Sequence, residues 1–296
     1  MGKALSRKFR VTAIVVAALF GIMSGVSVMA AENWPNWRGP SLNGTSGETG
    51  LPTTWSDTEN VAWTLDIAEN SWSGATPIIW EDNIFITVSY LERSAGGRGF
   101  GRRGQGRRGG GRPLGGGRGG PRPTPSGDPN QIVELWKLNR ADGSIEWKQF
   151  LSNNDRQARK QNMSTPSPVT DGEHVWVMTG TGWLRAFDFD GNEVWARNIS
   201  DDYWSFGLNW GFASSPLLHE DALYVQVLHG MRTDDPSYVL RLDKATGETV
   251  WMVERPTEAE RESPDSYTTP ALLQYDGQTE IVITGGDVVT GHDPGT

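Results

Sequence analysis

The sequence predicts an all-β fold built from a repeated unit, and two recurring patterns indicate the repeat. A hydroxyl residue followed by Pro recurs as Thr76-Pro77, Ser167-Pro168, Ser215-Pro216 and Thr269-Pro270. A turn motif that ends in Trp occurs three times, at residues 138–147, 187–195 and 242–251. After the first 31 residues no stretch shows a helical period over more than two turns, and a short turn of helix is expected only at 257–263.

The repeat has the length and the internal pattern of a propeller blade. Pro168 and Pro216 are 48 residues apart, and Pro216 and Pro270 are 54 apart. The second unit contains four short apolar or alternating runs, namely 167–170, 174–179, 183–188 and 193–198. Asp-Gly or Thr-Gly turns separate these runs, as expected of short antiparallel strands. Four strands in about 45 residues are typical of a β-propeller blade.

The Trp of each turn motif is predicted to lie on the outermost strand of its blade. A flat indole there covers the turn of the neighbouring blade and closes the seam between two twisted sheets. The turn needs Gly because Gly adopts a positive φ without steric cost. The predicted docking residues are Trp63, Trp147, Trp195 and Trp251 with Gly143, Gly191 and Gly247. Trp63 precedes the first blade, so we expect it to supply the outer strand of another blade.

The last residues predict an incomplete propeller of three blades and part of a fourth. Residues 292–296 align with 242–246, so the sequence stops within a turn motif. We expect such a chain to be a piece of a propeller with roughly 6 to 8 blades. A piece of this kind leaves a sheet face and a sheet edge uncovered, which predicts low stability in isolation.

The composition excludes several classes of function. The chain has 296 residues, 14 Trp and no Cys, which excludes disulfides, a Cys-ligated metal and thiol catalysis. The formal net charge of -9 argues against nucleic acid as a partner of the folded part.

Residues 1–31 are predicted to be a secretory signal peptide. Four basic residues precede an apolar run at 11–23, and Val28-Met29-Ala30 supplies small residues for cleavage after Ala30 or Ala31. The chain is therefore expected to be exported to the periplasm, the cell envelope or the extracellular space. The alternative is an uncleaved anchor, in which case this segment alone would contact a membrane.

Residues 91–130 form an insert within the propeller domain, which is predicted to span 32–296. The insert contains nine Arg against Glu92 and Asp128, in a background of Gly. Such a segment has little apolar surface to bury, which predicts disorder. Arg-Gly segments bind single-stranded nucleic acid in some proteins, but an anionic envelope polymer or the acidic surface of this protein is the more fitting partner for an exported chain.

The turn motifs resemble those of a known family. The Asp-x-x-Thr-Gly-x-x-x-Trp form at 243–251, its variant at 188–195 and the segment Trp34-Pro35-Asn36-Trp37-Arg38-Gly39-Pro40 resemble proteins with pyrroloquinoline-quinone-like (PQQ-like) β-propeller repeats. The resemblance covers nearly all of 32–296 apart from the insert. It implies either a quinoprotein alcohol or sugar dehydrogenase or a cofactor-free propeller of the kind that helps assemble outer-membrane proteins.

The two branches imply different sites. The enzyme requires PQQ in the central channel, a calcium ion held by acidic and amide oxygens, and an Asp as base. Residues placed just before the innermost strands, where they could face such a channel, are Trp72, Met163, Trp210 and Tyr267. These side chains are expected to stack a planar ligand or to pack within the fold, and packing is the favoured interpretation. The resemblance also implies adjacent cysteines beside the quinone, which this chain lacks.

Other constellations are weaker. The four His residues have no metal-ligand spacing, and His219 and His229 are expected at opposite ends of one hairpin. The acidic pairs Asp201-Asp202 and Asp234-Asp235 are expected to be solvated loop charges. The sequence therefore favours a binding or scaffolding module of the cell envelope without a catalytic residue or a metal. The alternative is a quinone-dependent dehydrogenase, and a third hypothesis is polymer binding by the aromatic residues.

Overall fold

A computed structural model describes residues 32–67, 71–92, 127–155 and 163–296. These residues belong to one compact unit that begins at Glu32. The predicted signal peptide, residues 1–31, and most of the predicted insert, residues 93–126, lie outside the described residues. Within the described part of the chain, no helix has the length and apolar character needed to cross a membrane.

Fifteen strands and one short helix make up the described structure. The strands are β1 (Ile78–Trp80), β2 (Asn83–Leu91), β3 (Gln131–Asn139), β4 (Ile145–Ser152), β5 (Val169–Thr170), β6 (His174–Met178), β7 (Trp183–Asp188), β8 (Glu193–Asn198), β9 (Leu217–His219), β10 (Ala222–Val227), β11 (Tyr238–Asp243), β12 (Thr249–Glu254), β13 (Ala271–Tyr275), β14 (Gln278–Gly285) and β15 (Val288–His292). The helix α1 is Ile199–Asp202.

The strands form four antiparallel sheets in which sequence neighbours pair. Three sheets have four strands, β1–β4, β5–β8 and β9–β12, and one has three, β13–β15. We call them blades 1 to 4 in that order. The prediction of an all-β, incomplete propeller with three blades and part of a fourth is confirmed. The expected helical turn at 257–263 is wrong, because the short helix instead follows β8, where the Asn198 side chain caps it by accepting from Ser200 N.

The hydrophobic core lies between the blades, because each sheet presents one apolar face to the preceding blade and one to the next. One buried cluster joins blades 1 and 2 and includes Phe85, Leu135 and Val177. A second joins blades 2 and 3, and a third joins blades 3 and 4, where Ile281 and Ile283 are fully buried. Because the blades share their cores, each one is stabilised by its neighbours.

The outer edges of the blades are joined by tryptophan. A β-bulge in the outermost strands β4, β8 and β12 immediately precedes Trp147, Trp195 and Trp251. A bulge re-aims the side chain that follows it. Each indole Nε1 donates to a carbonyl in the turn of the next blade: Trp147 to Phe189 at 3.0 Å, Trp195 to Lys244 at 3.0 Å and Trp251 to Pro294 at 3.3 Å. We call these contacts the outer seam.

Glycine lets the indole lie flat on the turn. Gly143, Gly191 and Gly247 have φ values of 71°, 88° and 74°. A Cβ atom on Gly247 would lie 2.6 Å from Trp195 Cε3, which is closer than real contacts allow. A Cβ on Gly143 would lie 2.3 Å from Trp63 Cε3. The turn therefore requires Gly both for its backbone and for the indole above it.

The inner edges of the blades are joined by the hydroxyl residues that precede Pro. The Thr76 amide donates to Ser167 Oγ at 2.9 Å, Ser167 N donates to Ser215 Oγ at 2.8 Å, and Ser215 N donates to Thr269 Oγ1 at 3.1 Å. Each hydroxyl therefore accepts from the blade before it. This inner seam explains why the Ser/Thr-Pro pair recurs with every blade, because a side-chain oxygen at that position satisfies a buried amide.

A segment near the N-terminus crosses all four blades, and we call residues 34–42 the strap. Trp34 exchanges two backbone hydrogen bonds with Ile79 in blade 1, and Thr170 N of blade 2 donates to Pro35 O at 2.9 Å. Residues 36–38 and Leu42 line a small pocket with residues 216–217 and 269–272 of blades 3 and 4. Leu42 also packs on the core between those two blades.

Candidate functional site

The two ends of the blades differ in the length of their connections. We define the turn face as the end where tight turns join β1 to β2 and β3 to β4, together with the equivalent turns of the other blades. The loop face is the opposite end, where the innermost strands begin. On the loop face of blades 3 and 4 three long connections meet, residues 199–216, 228–237 and 255–270. These loops hold the strongest candidate for a functional site.

Asp265 ties the three loops together. Its side chain is buried, at 8% exposure, and its Oδ2 accepts from Asn209 N at 2.7 Å while Oδ1 accepts from Met231 N at 3.0 Å. Burial raises the pKa of Asp265, because removing a carboxylate from water disfavours its charged form. The backbone amides oppose this shift. The carboxyl group is thus held in place by donors from two other loops.

His229 makes a second buried junction in the same region. Its Nδ1 accepts from Gly207 N at 3.0 Å, and Nε2 lies 2.9 Å from Pro236 O. An acceptor Nδ1 and a donor Nε2 are satisfied together only in the neutral ring. Desolvation lowers the pKa of His229 and keeps it neutral. His219 ends β9 and His229 follows β10, so the two lie at opposite ends of one hairpin, but His229 is buried in the loop face and not on the surface.

Two half-buried aromatic side chains lie beside Asp265. The indole of Trp210 donates to Glu262. The hydroxyl of Tyr267 lies 3.5 Å from Asp265 Oδ2 and is also within reach of the Trp210 backbone. Burial, followed by the charge of Asp265, raises the pKa of Tyr267 far above its ordinary value, so its hydroxyl stays protonated. Trp210 and Tyr267 therefore form one aromatic and acidic corner with Glu262 and Asp265.

The loop face of blades 3 and 4 is strongly acidic. Its three connections contain eight carboxylates, namely Asp201, Asp202, Asp234, Asp235, Glu258, Glu260, Glu262 and Asp265. They contain three arginines, and Arg255 is buried, where it donates to the carbonyls of Gly285 and Val288. An open cavity of about 270 Å³ lies among these loops, lined by Asp235, Arg255 and Pro264 among others.

The other two predicted rim residues lie near blades 1 and 2. The backbone of Trp72 pairs with that of Ser89, and its side chain is 39% exposed. Ser164 Oγ donates to Trp72 O at 3.2 Å, which brings Trp72 close to Met163 along the chain. Met163 itself is buried in the core between blades 1 and 2 and packs against Gly180. The side chain of Met163 is thus committed to the core and presents no face to a ligand.

The sequence analysis missed Asp265 and His229 as site residues. One signal was present for Asp265: it precedes Pro270 by five positions, as Trp72 precedes Pro77 and Met163 precedes Pro168. A position just before the innermost strand thus lies at the loop face in three blades, with a different residue type in each. No comparable pattern marks His229, because its burial depends on how the three loops fold over it.

The loop-face residues do not form the site that a calcium-bound quinone requires. Both carboxylate oxygens of Asp265 already accept backbone amides, and Met163 lacks a free face for stacking. In the part of the chain that the structure describes, no group of three or more His, Asp or Glu side chains is placed to hold a metal ion. What this corner offers is hydrogen-bond acceptors and flat apolar surface.

The blades, their tryptophan-docked outer seams and their loop face define a β-propeller of the PQQ-like class. Residues 126–203, which contain β3–β8, match the family model described as outer membrane protein assembly factor BamB. The predicted resemblance to PQQ-like propeller repeat proteins is therefore confirmed. None of the curated proteins matches the sequence.

Three solved structures illustrate the likeness. The quinohemoprotein alcohol dehydrogenase from Comamonas testosteroni is 12% identical, with a TM-score of 0.47 over 87% of this chain and 36% of its own. BamB from Moraxella catarrhalis is 16% identical, with a TM-score of 0.35 over 55% of this chain and 46% of its own. A europium-containing methanol dehydrogenase is 12% identical, with a TM-score of 0.41 over 77% of this chain and 33% of its own. This chain thus spans less than half the length of each, and these similarities support no inference about activity.

Proposed function

We propose that this chain is exported to the cell envelope and acts there as a binding or scaffolding module through the loop face of blades 3 and 4. The observation that carries the proposal is the arrangement of the three loops. Buried hydrogen bonds at Asp265 and His229 fix the loops, and the outer surface presents carboxylates around two half-buried aromatic rings. A preorganised surface of this kind suits recognition, because binding orders little that is mobile.

The chemistry of the surface indicates its partner. Aromatic side chains with a polar rim are typical of the centre of a protein interface. Excess carboxylates attract basic groups and speed their approach. We infer that the partner is an envelope protein with an exposed segment rich in Lys or Arg and in flat or apolar side chains, which would dock near Trp210 and Tyr267.

Charge reversal on each face tests this proposal. The variant Asp234→Lys/Glu258→Lys changes two exposed loop-face carboxylates, and Glu173→Lys/Asp190→Lys changes two exposed carboxylates in tight turns of the opposite face. Co-purification after cross-linking in intact cells should lose the loop-face partner by about tenfold or more in the first variant alone. Equal recovery of the same partners with both variants would contradict a loop-face site.

Export is tested by fractionating cells and sequencing the mature N-terminus. Cleavage after Ala30 or Ala31 places the start of the mature chain at Ala31 or Glu32. Recovery of the uncleaved chain in the cytoplasm would remove the envelope from the proposal.

Two further assays separate this function from the other hypotheses. Stoichiometric binding of PQQ to the purified full chain, with dye-linked alcohol oxidation, would replace the scaffold with a dehydrogenase. Binding to a glycan array that is lost in Trp210→Ala would instead make an envelope polymer the partner. We expect neither result.

A further inference from the structure

We propose that a second copy of this chain completes blade 4, and that each copy supplies the missing outer strand of the other. Two features of the described structure fit one another. Blade 4 has an innermost strand and two further strands but no outer strand beyond β15 among the described residues. Residues 61–66, which precede blade 1, have the sequence of an outer strand but no strand partner there.

Blade 4 presents an uncovered apolar face and an uncovered edge. The pairing register places Leu273 and Tyr275 of β13 on the same face as Val289 of β15. These three side chains are 48%, 78% and 69% exposed, whereas Ile281 and Ile283 on the opposite face are fully buried against blade 3. In blades 1 to 3 the face equivalent to the exposed one is covered by the next blade. An open edge beside an apolar face is a site for strand addition.

Residues 61–66 already occupy the position of an outer strand against blade 1. Trp63 Nε1 donates to Arg140 O at 2.8 Å, and its ring lies on Gly143. This is the contact that Trp147, Trp195 and Trp251 make with the next blade. Trp63 and Leu65 also pack on a buried cluster of blade 1. The segment therefore makes every contact of an outer strand except the pairing with its own blade.

The repeat predicts the register of the new pairing. Trp195 pairs with Ala186, two residues before Asp188, and Trp251 pairs with Arg241, two residues before Asp243. Asp293 occupies the same position in blade 4, so Trp63 is expected opposite Gly291 of the other copy. Continuing the antiparallel pairing places Leu65 opposite Val289. The apolar face of blade 4 would then lie on the cluster of blade 1 of the other copy.

The arrangement closes with two copies. Each copy offers blade 1 with its docked segment at one end and blade 4 with its open edge at the other, so the contact is head to tail. Two such contacts related by a twofold axis form a ring. With four blades in each copy, the ring has eight blades, which lies within the usual range for propellers. Neither copy then keeps an open sheet edge.

The mass of the purified full chain in solution is the first test. We expect a dimer by light scattering, and we expect Val289→Lys to raise the dimer dissociation constant by about 100-fold or more, because a lysine at the contact would be buried without a partner. Val250→Lys is the matched control, since Val250 is 49% exposed on an outer strand away from the contact. A folded monomer at concentrations up to about 100 µM would overturn the proposal.

Cysteine cross-linking tests the register and the partner. The chain has no Cys, so in Leu65→Cys/Val289→Cys a disulfide can form only between the introduced residues. We expect an intermolecular disulfide that yields a covalent dimer, and none in Leu65→Cys/Tyr275→Cys. An intramolecular disulfide in a monomer would show that the chain closes on itself, and equal cross-linking of both variants would show non-specific association. Either result would overturn the proposal.

Discussion

The turn face and the loop face of this molecule use the same repeat in different ways. On the turn face each blade receives the same contact, an indole on a glycine turn, at a fixed position in the sequence. On the loop face the equivalent positions hold Trp72, Met163 and Asp265, which have different surroundings in each blade. The repeated end stabilises the stack of sheets, and the end that varies is therefore free to carry a specific function.

Removing an indole should break the turn-face seam with the largest effect. Trp195→Ala loses a half-buried ring that packs on Gly247 and donates to Lys244 O, so we expect the free energy of unfolding to fall by about 3–5 kcal/mol. Denaturant titration gives the value. Trp55→Ala is the control, because Trp55 is 67% exposed and its loss should change stability by less than about 0.5 kcal/mol. Similar losses in both variants would contradict the role of the seam.

A pair of glycine variants separates backbone strain from the contact with the indole. Gly277 has a φ of 76° and open space around it, whereas Gly247 has a φ of 74° and lies under Trp195. Gly277→Ala should cost about 1 kcal/mol from strain alone. Gly247→Ala should cost about 1–3 kcal/mol more, because the added methyl group displaces the indole. Equal costs in thermal or denaturant unfolding would show that the indole adapts.

The inner seam is expected to contribute less than the outer one. Ser215→Ala removes the hydroxyl that accepts from Ser167 N and leaves that amide without its partner, at a cost of about 1–2 kcal/mol. Ser215→Thr keeps the oxygen and imitates Thr269 of the next blade, so it should retain most of the stability. Hydrogen exchange at the Ser167 amide reports on the contact directly. If this amide is equally protected in both variants, the hydroxyl is not its partner.

The loop face should show its own pH dependence. The lowered pKa of His229 means that the unfolded chain, with a His pKa of 6.5, takes up a proton before the native chain does. Stability therefore falls as the pH drops below about 6.5, by up to about 1.4 kcal/mol between about pH 7.5 and about pH 5.5. His229→Gln should reduce this dependence. An unchanged profile would mean that His229 is not desolvated in solution.

Two other groups affect the profile and can be distinguished. His292 has a lowered pKa from burial and the nearby Arg255, so it acts in the same direction, and the double variant with His292→Gln should keep the least dependence. The raised pKa of Asp265 acts in the opposite direction, because the native carboxyl group binds its proton more tightly. Its contribution to stability declines as the pH rises above 3.8, so its window starts well below that of the histidines.

The sequence predicted the fold better than the site, and the reason is physical. A single residue type at a fixed spacing makes the outer seam, so Trp147, Trp195 and Trp251 were recognisable from the sequence alone. The Ser/Thr-Pro pairs were recognisable as a repeat, but their bonding partners are about 48 to 91 residues away, so their role could not be derived. Asp265 and His229 act through amides of other loops, whose approach depends on the whole fold.

The strap has a consequence for the order of folding. Its Trp34 belongs to the first described residues, yet the surface that receives residues 36–42 includes residues 269–272 of blade 4. Contacts across such a sequence separation form slowly, because much of the chain must be ordered before they are gained. During export from the N-terminus, the strap leaves first and docks last. Its closure therefore reports that all four blades are in place.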